Sequence, residues 1–323
     1  MDYETPGWCR NLIEAGRLRP DEEVLVLVDE PLVEQGSQLA TAVREAGGRP
    51  TLELWAGKRP MRNAPPAVLA AAKRATLAYF VTERPHAEES EARSQLAATV
   101  FGHGGREIYL SFVTPELLAG ELSQPAPELA EPARRLLEQL EGSERIRVRG
   151  RAGTDLTLTV TGRPWKTDAL PLEDGDFANY PGGEVFVAPL KDGAEGVLVA
   201  DLTVPYTVEG LVDRPVTLRF EGGRVVEISG GRAAQMLREL VADAGTGADV
   251  IAELGIGLNP AVEPRGHVLL DEKAARTAHV AIGNNSGAAF GGDNDAAIHV
   301  DCIFSEPELE VDGRRIDLSR SVS

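Results

Sequence analysis

Two apolar segments near the end of the chain each carry a histidine among residues that usually form buried strands. The first is TAHVAIGNN with His279, and the second is AAIHVDCIF with His299 and Asp301. Side chains two residues apart on a strand point to the same face, so His299 and Asp301 should lie side by side. Two imidazoles and one carboxylate on neighbouring strands form a common ligand set for zinc, iron, cobalt or manganese. The alternative is a pair of hydrogen-bonded core histidines with an aspartate in a salt bridge.

Two glutamates stand in similar apolar settings. Glu184 opens the run EVFVAPL after two glycines, and Glu253 lies within DVIAELGIGLNP, before Gly255 and Gly257. A carboxylate is costly to bury unless it is paired or binds a metal. Each glutamate alone is equally compatible with an ordinary edge strand. Together with the two histidines and the aspartate, they provide enough donors for one or two divalent ions.

A further histidine, His103, lies in FGHGG (101–105), at a turn between a predicted helix and a predicted strand. Glycines beside it let the chain turn sharply and approach a ligand. His103 is therefore either an exposed residue at a helix end or a general acid or base that faces the metal from the first domain. The second hypothesis places the active cleft between two domains, where ligand sites are frequent.

The elements that must position these residues change in character near residue 144. Before it, apolar runs of strand length alternate with helical segments, as in EVLVLVD (23–29) and VEQGSQLATAVREAGG (33–48). This alternation predicts a parallel sheet covered by helices. After it, short strands with glycine turns dominate, and GRAAQMLRELVADA is the one clear helix. We therefore predict an α/β plus α+β protein, with a Rossmann-like parallel-sheet domain over residues 1–144 and a β-rich metal-binding catalytic domain over residues 145–323.

Composition and charge exclude several functional classes. The net charge of −18 over 323 residues, without a basic cluster, argues against a nucleic-acid partner. No apolar run approaches the roughly 18 residues of a membrane span, and the start does not resemble a signal peptide, so we expect a cytoplasmic protein. The first predicted strand is followed by DEPLVEQG rather than by a glycine-rich phosphate loop, which argues against a nucleotide cofactor.

From about Gly153 to Asp312 the chain resembles the M29 family of metalloaminopeptidases, of the aminopeptidase T type. The similar stretches are GTDLTLTV, GGEVFVAPL, ELGIGLNP, HVAIG and HVD. In that family two metal ions sit in a carboxylate–histidine cluster, and the resemblance implies zinc, cobalt or manganese here, in a homodimer. It assigns ligand positions to Glu184, Glu253, His279, His299 and Asp301. Glu253 would be either the base that takes a proton from water or a bridging ligand.

One position departs from the pattern of the peptidases. They carry a tyrosine seven residues after the histidine of HVAIG, and Ser286 stands there in this chain. The chain also resembles 2,5-dihydroxypyridine dioxygenases, which look like members of the same superfamily. This second resemblance implies one Fe(II) bound by His279, His299 and Asp301, with the glycine-rich loop 283–292 shaping a pocket for a small ring.

These observations leave three functional hypotheses, in order of preference. The first is an aminopeptidase-like hydrolase that acts on small peptides or amides through metal-activated water, since acidic surroundings suit a cationic amino terminus. The second is a ring-cleaving Fe(II) dioxygenase with His103 as its acid or base. The third is a non-enzymatic, metal-stabilised binding protein, which is the least favoured because structural metal sites are usually closed by thiolates or four firm ligands.

Overall fold

The computed structural model describes residues 5–169, 171–286 and 290–318, which form two compact units. One unit comprises Met1–Ala126 and Pro171–Pro181, and the other comprises Pro127–Leu170 and Gly182–Ser323. The predicted mixed α/β character is confirmed, because one sheet is parallel and two are antiparallel. The domain boundary after residue 144 stays a prediction. In the described part of the chain, no helix is long and apolar enough to cross a membrane.

The first unit contains a five-stranded, fully parallel sheet. Its strands are β1 (Glu23–Val28), β2 (Arg49–Leu54), β3 (Leu77–Val81), β4 (Arg106–Leu110) and, later in the chain, β8 (Phe177–Asn179). They are arranged in the order β2-β1-β3-β4-β8, one of the usual orders of doubly wound sheets. The helices of this unit are α1 (Gly7–Ala15), which precedes β1, and α2 (Val33–Glu45), α3 (Pro66–Ala72), α4 (Ser90–Phe101) and α5 (Pro115–Ala119).

The segments predicted as alternating strands and helices form these elements at nearly the expected positions. β1 and β3 are almost completely buried, as their continuous apolar runs predict. Thr114 caps α5 by accepting a hydrogen bond from the backbone N–H of Leu117. The short strand β8 was not predicted, because three residues carry too little hydrophobic pattern to be recognised in a sequence.

The second unit contains two antiparallel sheets. The seven-stranded sheet consists of β5 (Arg145–Arg149), β6 (Asp155–Thr159), β10 (Ala194–Ala200), β11 (Val216–Glu221), β12 (Arg224–Ser229), β16 (Glu308–Val311) and β17 (Arg314–Ile316). The five-stranded sheet consists of β7 (Lys166–Thr167), β9 (Glu184–Val187), β13 (Ile251–Gly257), β14 (Thr277–Gly283) and β15 (His299–Ser305), in the order β15-β14-β13-β9-β7. The helices are α6 (Ala130–Leu140), α7 (Arg232–Ala244) and α8 (Val268–Asp271).

One face of the five-stranded sheet belongs to the apolar core of the second unit. Alternate residues on β13, β14 and β15 are fully buried aliphatic side chains or a cysteine: Leu254, Ile256, Val280, Ile282, Val300 and Cys302. The backbone N–H of Leu202 donates to the carbonyl of Ile303, and the N–H of Ile303 donates to the carbonyl of Thr203, so the edge strand β15 is tied to the segment that follows β10. The residues in between point to the opposite face, and that face carries the polar groups.

Candidate metal centre

The five predicted ligands lie together on the face of the five-stranded sheet opposite the apolar core. Glu184 begins β9, Glu253 is on β13, His279 is on β14, and His299 and Asp301 are on β15. In an antiparallel sheet, directly opposed residues share a face, and so do residues two apart on one strand. The register aligns Glu253 with Ala281 and Ala281 with Asp301. Strand pairing therefore brings together side chains from four separate segments.

Each of the five ligands has a glycine or an alanine directly opposite it on a neighbouring strand. The pairs are Glu184–Gly257, Glu253–Ala281, His279–Gly255, His299–Gly283 and Asp301–Ala281. These small residues leave room above the sheet for the large polar side chains to lean toward one another. Gly255 is the clearest case, because a Cβ atom there would lie 2.1 Å from Cε1 and 2.2 Å from Nε2 of His279.

The functional atoms of the cluster converge within a few ångströms. His279 Nε2 lies 3.4 Å from Glu184 Oε2, 3.4 Å from Glu253 Oε1 and 4.0 Å from Asp301 Oδ1. His299 Nε2 lies 3.2 Å from Asp301 Oδ1 and 3.5 Å from Glu253 Oε2. Glu253 thus stands between the two imidazoles, with one carboxylate oxygen near each. Donor atoms of Glu184, Glu253 and His279 all lie within 4.8 Å of one another.

Burial of the carboxylates shifts the pKa values of the residues in the cluster. Burial raises the pKa of Glu184 to about 8, although the nearby Lys273 opposes the change. Burial would lower the pKa of His279, but its hydrogen bond to Glu253 and the charges of Glu184 and Asp301 outweigh burial and raise it to about 10. In the absence of a metal, protons on the imidazoles therefore offset part of the negative charge.

His299 and Asp301 form a closely coupled pair on β15. Burial would lower the pKa of His299, and the charge and hydrogen bond of Asp301 raise it to about 9. Burial would raise the pKa of Asp301, and the same histidine lowers it to about 2. The other ring nitrogen of His299, Nδ1, lies 2.6 Å from the carbonyl oxygen of Asn284, and the ring of Phe290 stacks on the imidazole with centroids 4.8 Å apart. With Nδ1 donating to this carbonyl, Nε2 is left to face the cluster.

A second group of charges beside the cluster was not found in the sequence. Lys273 is completely buried and contacts Glu184, Asp168 and Glu272. Burial would lower the pKa of Lys273, but the three carboxylates outweigh it and hold the pKa well above the usual value. In the sequence, Lys273 stands in DEKAARTAHV, which looks like a solvated turn before a strand. The only available signal was that lysine is rare in this chain.

The residues of the cluster fit a divalent metal ion. The donor set of two imidazoles and three carboxylates suits zinc, cobalt, manganese or iron. Glu184 Oε2 is buried, points at the cluster, and has no hydrogen-bond partner among the described residues. A buried carboxylate oxygen without a donor is costly, and a cation bound there would remove that cost.

The two other residues singled out in the sequence, His103 and Ser286, have contacts within their own units. His103 is exposed in the turn after α4 of the first unit, with Nε2 2.9 Å from the carbonyl oxygen of Ala75. Ser286 follows β14, and its hydroxyl and backbone N–H both lie 2.8 Å from Asn284 Oδ1. Of the loop 283–292 that was expected to shape a pocket, residues 287–289 lie outside the described residues.

Sequence comparison relates the second unit to known enzymes. A family model described as thermophilic metalloprotease (M29) matches residues 127–321. Aminopeptidase T of Thermus aquaticus is 33% identical over 189 residues, which are 52% of this chain and 45% of that protein. A 2,5-dihydroxypyridine 5,6-dioxygenase of Pseudomonas putida is 31% identical over 140 residues, 42% of this chain and 39% of that protein. The matched region thus spans about half, or less, of the length of these relatives.

Comparison of folds extends over nearly the whole chain. The structure of a 2,5-dihydroxypyridine dioxygenase from Pseudomonas putida KT2440 superposes with a TM-score of 0.75 and 20% identity, covering 96% of this chain and 94% of the other. Wild-type AmpT from Thermus thermophilus superposes with a TM-score of 0.67 and 19% identity, covering 96% of each chain. At these identities the likeness establishes the fold alone. The sequence match, which covers more than half of the residues and includes all five clustered donors, shows that the chain belongs to the M29 family of metalloproteases.

Proposed function

We propose that this chain is a metal-dependent, aminopeptidase-like hydrolase that acts on small peptides or amides. The observation that carries the proposal is the convergence of Glu184, Glu253, His279, His299 and Asp301 on one face of a sheet, within the region that matches the M29 family. Four of these donors were predicted on separate strands because each interrupts an apolar run, and the fifth, Asp301, shares a strand face with His299.

The proposed chemistry assigns distinct roles to the side chains of the cluster. A divalent zinc, cobalt or manganese ion, when bound, would lower the pKa of a water molecule and polarise the amide carbonyl. Glu253 would accept the proton of that water, since its carboxylate lies between both imidazoles and is 5% exposed. His279, His299, Asp301 and Glu184 would hold the ion, and the surplus of carboxylates would attract a protonated amino terminus.

His103 is kept as a proposed general acid or base. We expect His103→Asn to lower turnover while the metal content stays at the wild-type level, because His103 would move a proton without holding the ion. The measurement pairs steady-state turnover with elemental analysis of the same preparation. Unchanged turnover would remove His103 from the mechanism.

The proposal is tested by metal content and substrate range together. Protein purified without added metal is analysed for bound elements, stripped with a chelator, and assayed with aminoacyl anilides and dipeptides after zinc, cobalt or manganese is added back. Hydrolysis that disappears with the chelator and returns with the metal is the expected result. A metal-loaded protein that hydrolyses none of these substrates would overturn the peptidase proposal.

A second candidate is an Fe(II) dioxygenase that cleaves a dihydroxypyridine-like ring. It is supported by His279, His299 and Asp301, which form a two-histidine, one-carboxylate set that would leave positions open on an iron. Ser286 agrees with it, because the resemblance to the peptidases implies a tyrosine at that position. Anaerobic reconstitution with Fe(II), followed by oxygen and 2,5-dihydroxypyridine, tests this candidate. Oxygen uptake without peptide hydrolysis would make it the preferred function.

Assembly and location complete the proposal. We propose a homodimer in the cytoplasm whose partner is a small-molecule or peptide substrate, without nucleic acid or membrane. Light scattering of the purified protein measures the assembly, and a monomer at working concentrations would contradict it.

A further inference from the structure

The segment between β14 and β15 contains two buried asparagines that hydrogen-bond to each other. Asn285 is 0% exposed and Asn294 is 6% exposed. The backbone N–H of Asn285 donates to the carbonyl oxygen of Asn294 at 3.0 Å, and the backbone N–H of Asn294 donates to Asn285 Oδ1 at 2.8 Å. These two residues, called the asparagine pair below, close the loop between them.

The side-chain amides of the asparagine pair also bind backbone groups of the sheet. Asn285 Nδ2 donates to the carbonyl oxygen of Ala252 on β13 at 2.9 Å. Asn294 Nδ2 donates to two carbonyl oxygens, that of Gly283 at the end of β14 at 2.6 Å and that of Gly247 before β13 at 2.9 Å. Buried carbonyl groups without a donor are costly, so these amides tie the loop to the sheet.

Asn284 lies between these fixed points, and its backbone carbonyl orients His299. The carbonyl oxygen is 2.6 Å from His299 Nδ1. Because a carbonyl only accepts, Nδ1 carries the proton of this hydrogen bond and Nε2 faces the metal cluster. The backbone N–H of Asn284 donates to the carbonyl oxygen of Ile298 at 2.6 Å. Since the asparagine pair holds Gly283 on one side and Asn285 on the other, the carbonyl of Asn284 is fixed in direction.

His279, the other imidazole of the cluster, is oriented in a different way. Its Nδ1 is buried and has no hydrogen-bond partner among the residues that the structure describes. Its ring occupies the space that a side chain at Gly255 would otherwise fill. A change to the asparagine pair should therefore affect His299 and spare His279, which provides a comparison within one molecule.

We infer that Asn285 and Asn294 are positioning residues of the metal centre. They fix the loop so that the Asn284 carbonyl holds His299 with Nε2 toward the ion. Groups that orient a metal-binding histidine through its second nitrogen commonly change metal affinity by about 10–100-fold. The inference rests on the ligand role of His299 in the proposed function, and it is independent of the number of ions and of the reaction catalysed.

Metal affinity of Asn294 variants is the first test. We expect Asn294→Ala, which removes the donor to Gly283 and Gly247, to bind zinc at least about tenfold more weakly than the wild type in calorimetric titrations. Asn294→Ser keeps one hydroxyl donor, so its affinity should lie between the two. Asn11→Ala is the matched control and should bind zinc normally, because Asn11 Nδ2 likewise donates to two backbone carbonyls, but in the first unit. Wild-type zinc affinity in whichever Asn294 variant folds would overturn the inference.

The proton on His299 Nδ1 provides a readout that a general loss of stability would not move. Long-range proton–nitrogen NMR correlations on histidine-labelled protein, with and without zinc, should show this proton exchanging slowly in the wild type. In the Asn294 variants we expect its signal to be lost while the His279 signals stay unchanged. A His299 signal that is absent from the wild type or persists in the variants would refute the positioning role. Failure of the wild type itself to bind zinc would instead overturn the proposed metal centre.

Discussion

His299 and Asp301 are the most exposed of the five donors, with side chains 17% and 16% exposed, and they lie at the more accessible side of the cluster. Truncation of Asp301 removes ligand atoms, and truncation of His299 removes ligand atoms together with the stack on Phe290. We expect His299→Ala and Asp301→Ala to lose most of the bound metal and the activity while circular dichroism spectra stay unchanged. His86→Ala, at a histidine of the first unit, is the control. Wild-type metal content in His299→Ala would show that the ligand assignment is wrong.

Glu253 is the residue at which binding and proton transfer can be separated. Glu253→Gln keeps a carbonyl oxygen near the imidazoles but cannot accept a proton. If Glu253 is the base of a hydrolase, turnover should fall by about 10²–10⁴-fold while metal remains bound. Glu221→Gln, at an exposed carboxylate, should leave turnover unchanged. A Glu253→Gln enzyme with near-normal turnover would exclude the hydrolytic mechanism and favour the dioxygenase.

At the scale of single residues, polar groups that interrupt apolar runs could be predicted as site residues from the sequence. Buried polar groups that stand in charged runs could not. Glu184, Glu253 and His279 were recognisable because each stands among aliphatic side chains whose burial the pattern already predicts. Lys273 was not, because Asp271, Glu272 and Lys273 are consecutive charged residues, which usually face water. Their burial depends on contacts with distant segments, such as Lys273 with Asp168, that a local pattern does not contain.

Among the elements, β13 contributes as much by its glycines as by Glu253. Gly255→Ala would place a methyl group within about 2 Å of the His279 ring, according to the position that a Cβ would take. The ring would have to move away from Glu253 and Glu184. We therefore expect Gly255→Ala to lower metal affinity by at least about tenfold, comparable to the effect of disturbing groups that orient a ligand.

Leu254→Ala is the matched control for this prediction, since the residue is the adjacent one on the same strand and points into the core. It should destabilise the fold by about 2–5 kcal/mol, because it leaves a cavity, and it should retain the wild-type metal stoichiometry. Chemical denaturation and calorimetric titration measure both quantities on both variants. Equal metal affinity in Gly255→Ala and the wild type would show that the ring does not need this space.

The alternation within strands was predictable, whereas their order in the sheet was not. The two-residue period placed His299 and Asp301 on one face without any knowledge of partners. The alignment of Glu253 with Ala281 and of Ala281 with Asp301 is set by pairing between segments far apart in sequence. A shift of one residue in either pairing would turn the ligands of a strand to the opposite face, so the site depends on the register.

For the whole molecule, the least predictable feature is the path of the chain. Residues 171–181 leave the second unit and return to the first, where β8 pairs in parallel with β4. Three residues, Phe177–Asn179, make this strand, and its position follows from long-range pairing rather than from its own composition. Sequence patterns therefore indicated a parallel sheet in the first part of the chain and short strands in the second, but not that residues 171–181 belong to the first unit.

The charge balance of the molecule predicts how stability depends on pH. In the metal-free fold the pKa values of His279 and His299 are raised from 6.5 to about 10 and about 9, so both rings keep protons that the unfolded chain releases above about pH 6.5. The stability they contribute is complete below pH 6.5 and is lost as the pH rises through 9 and 10. The pKa of Glu184 is raised from 4.5 to about 8, so the folded chain keeps this proton while the unfolded chain loses it. Glu184 therefore also makes the fold less stable as the pH rises from about 4.5 to about 8.

We therefore expect the Tm of chelator-treated protein to fall steadily between about pH 7 and pH 10. With metal bound, the imidazoles are already deprotonated, so the Tm of the loaded protein should change less over that range, and metal binding should release protons. Scanning calorimetry with and without chelator measures the first effect, and titrations in buffers of different ionisation enthalpy measure the second. A metal-free Tm that is constant or rises over this range would mean that the two histidines do not hold protons in the fold, and metal binding without proton release would contradict their role as ligands.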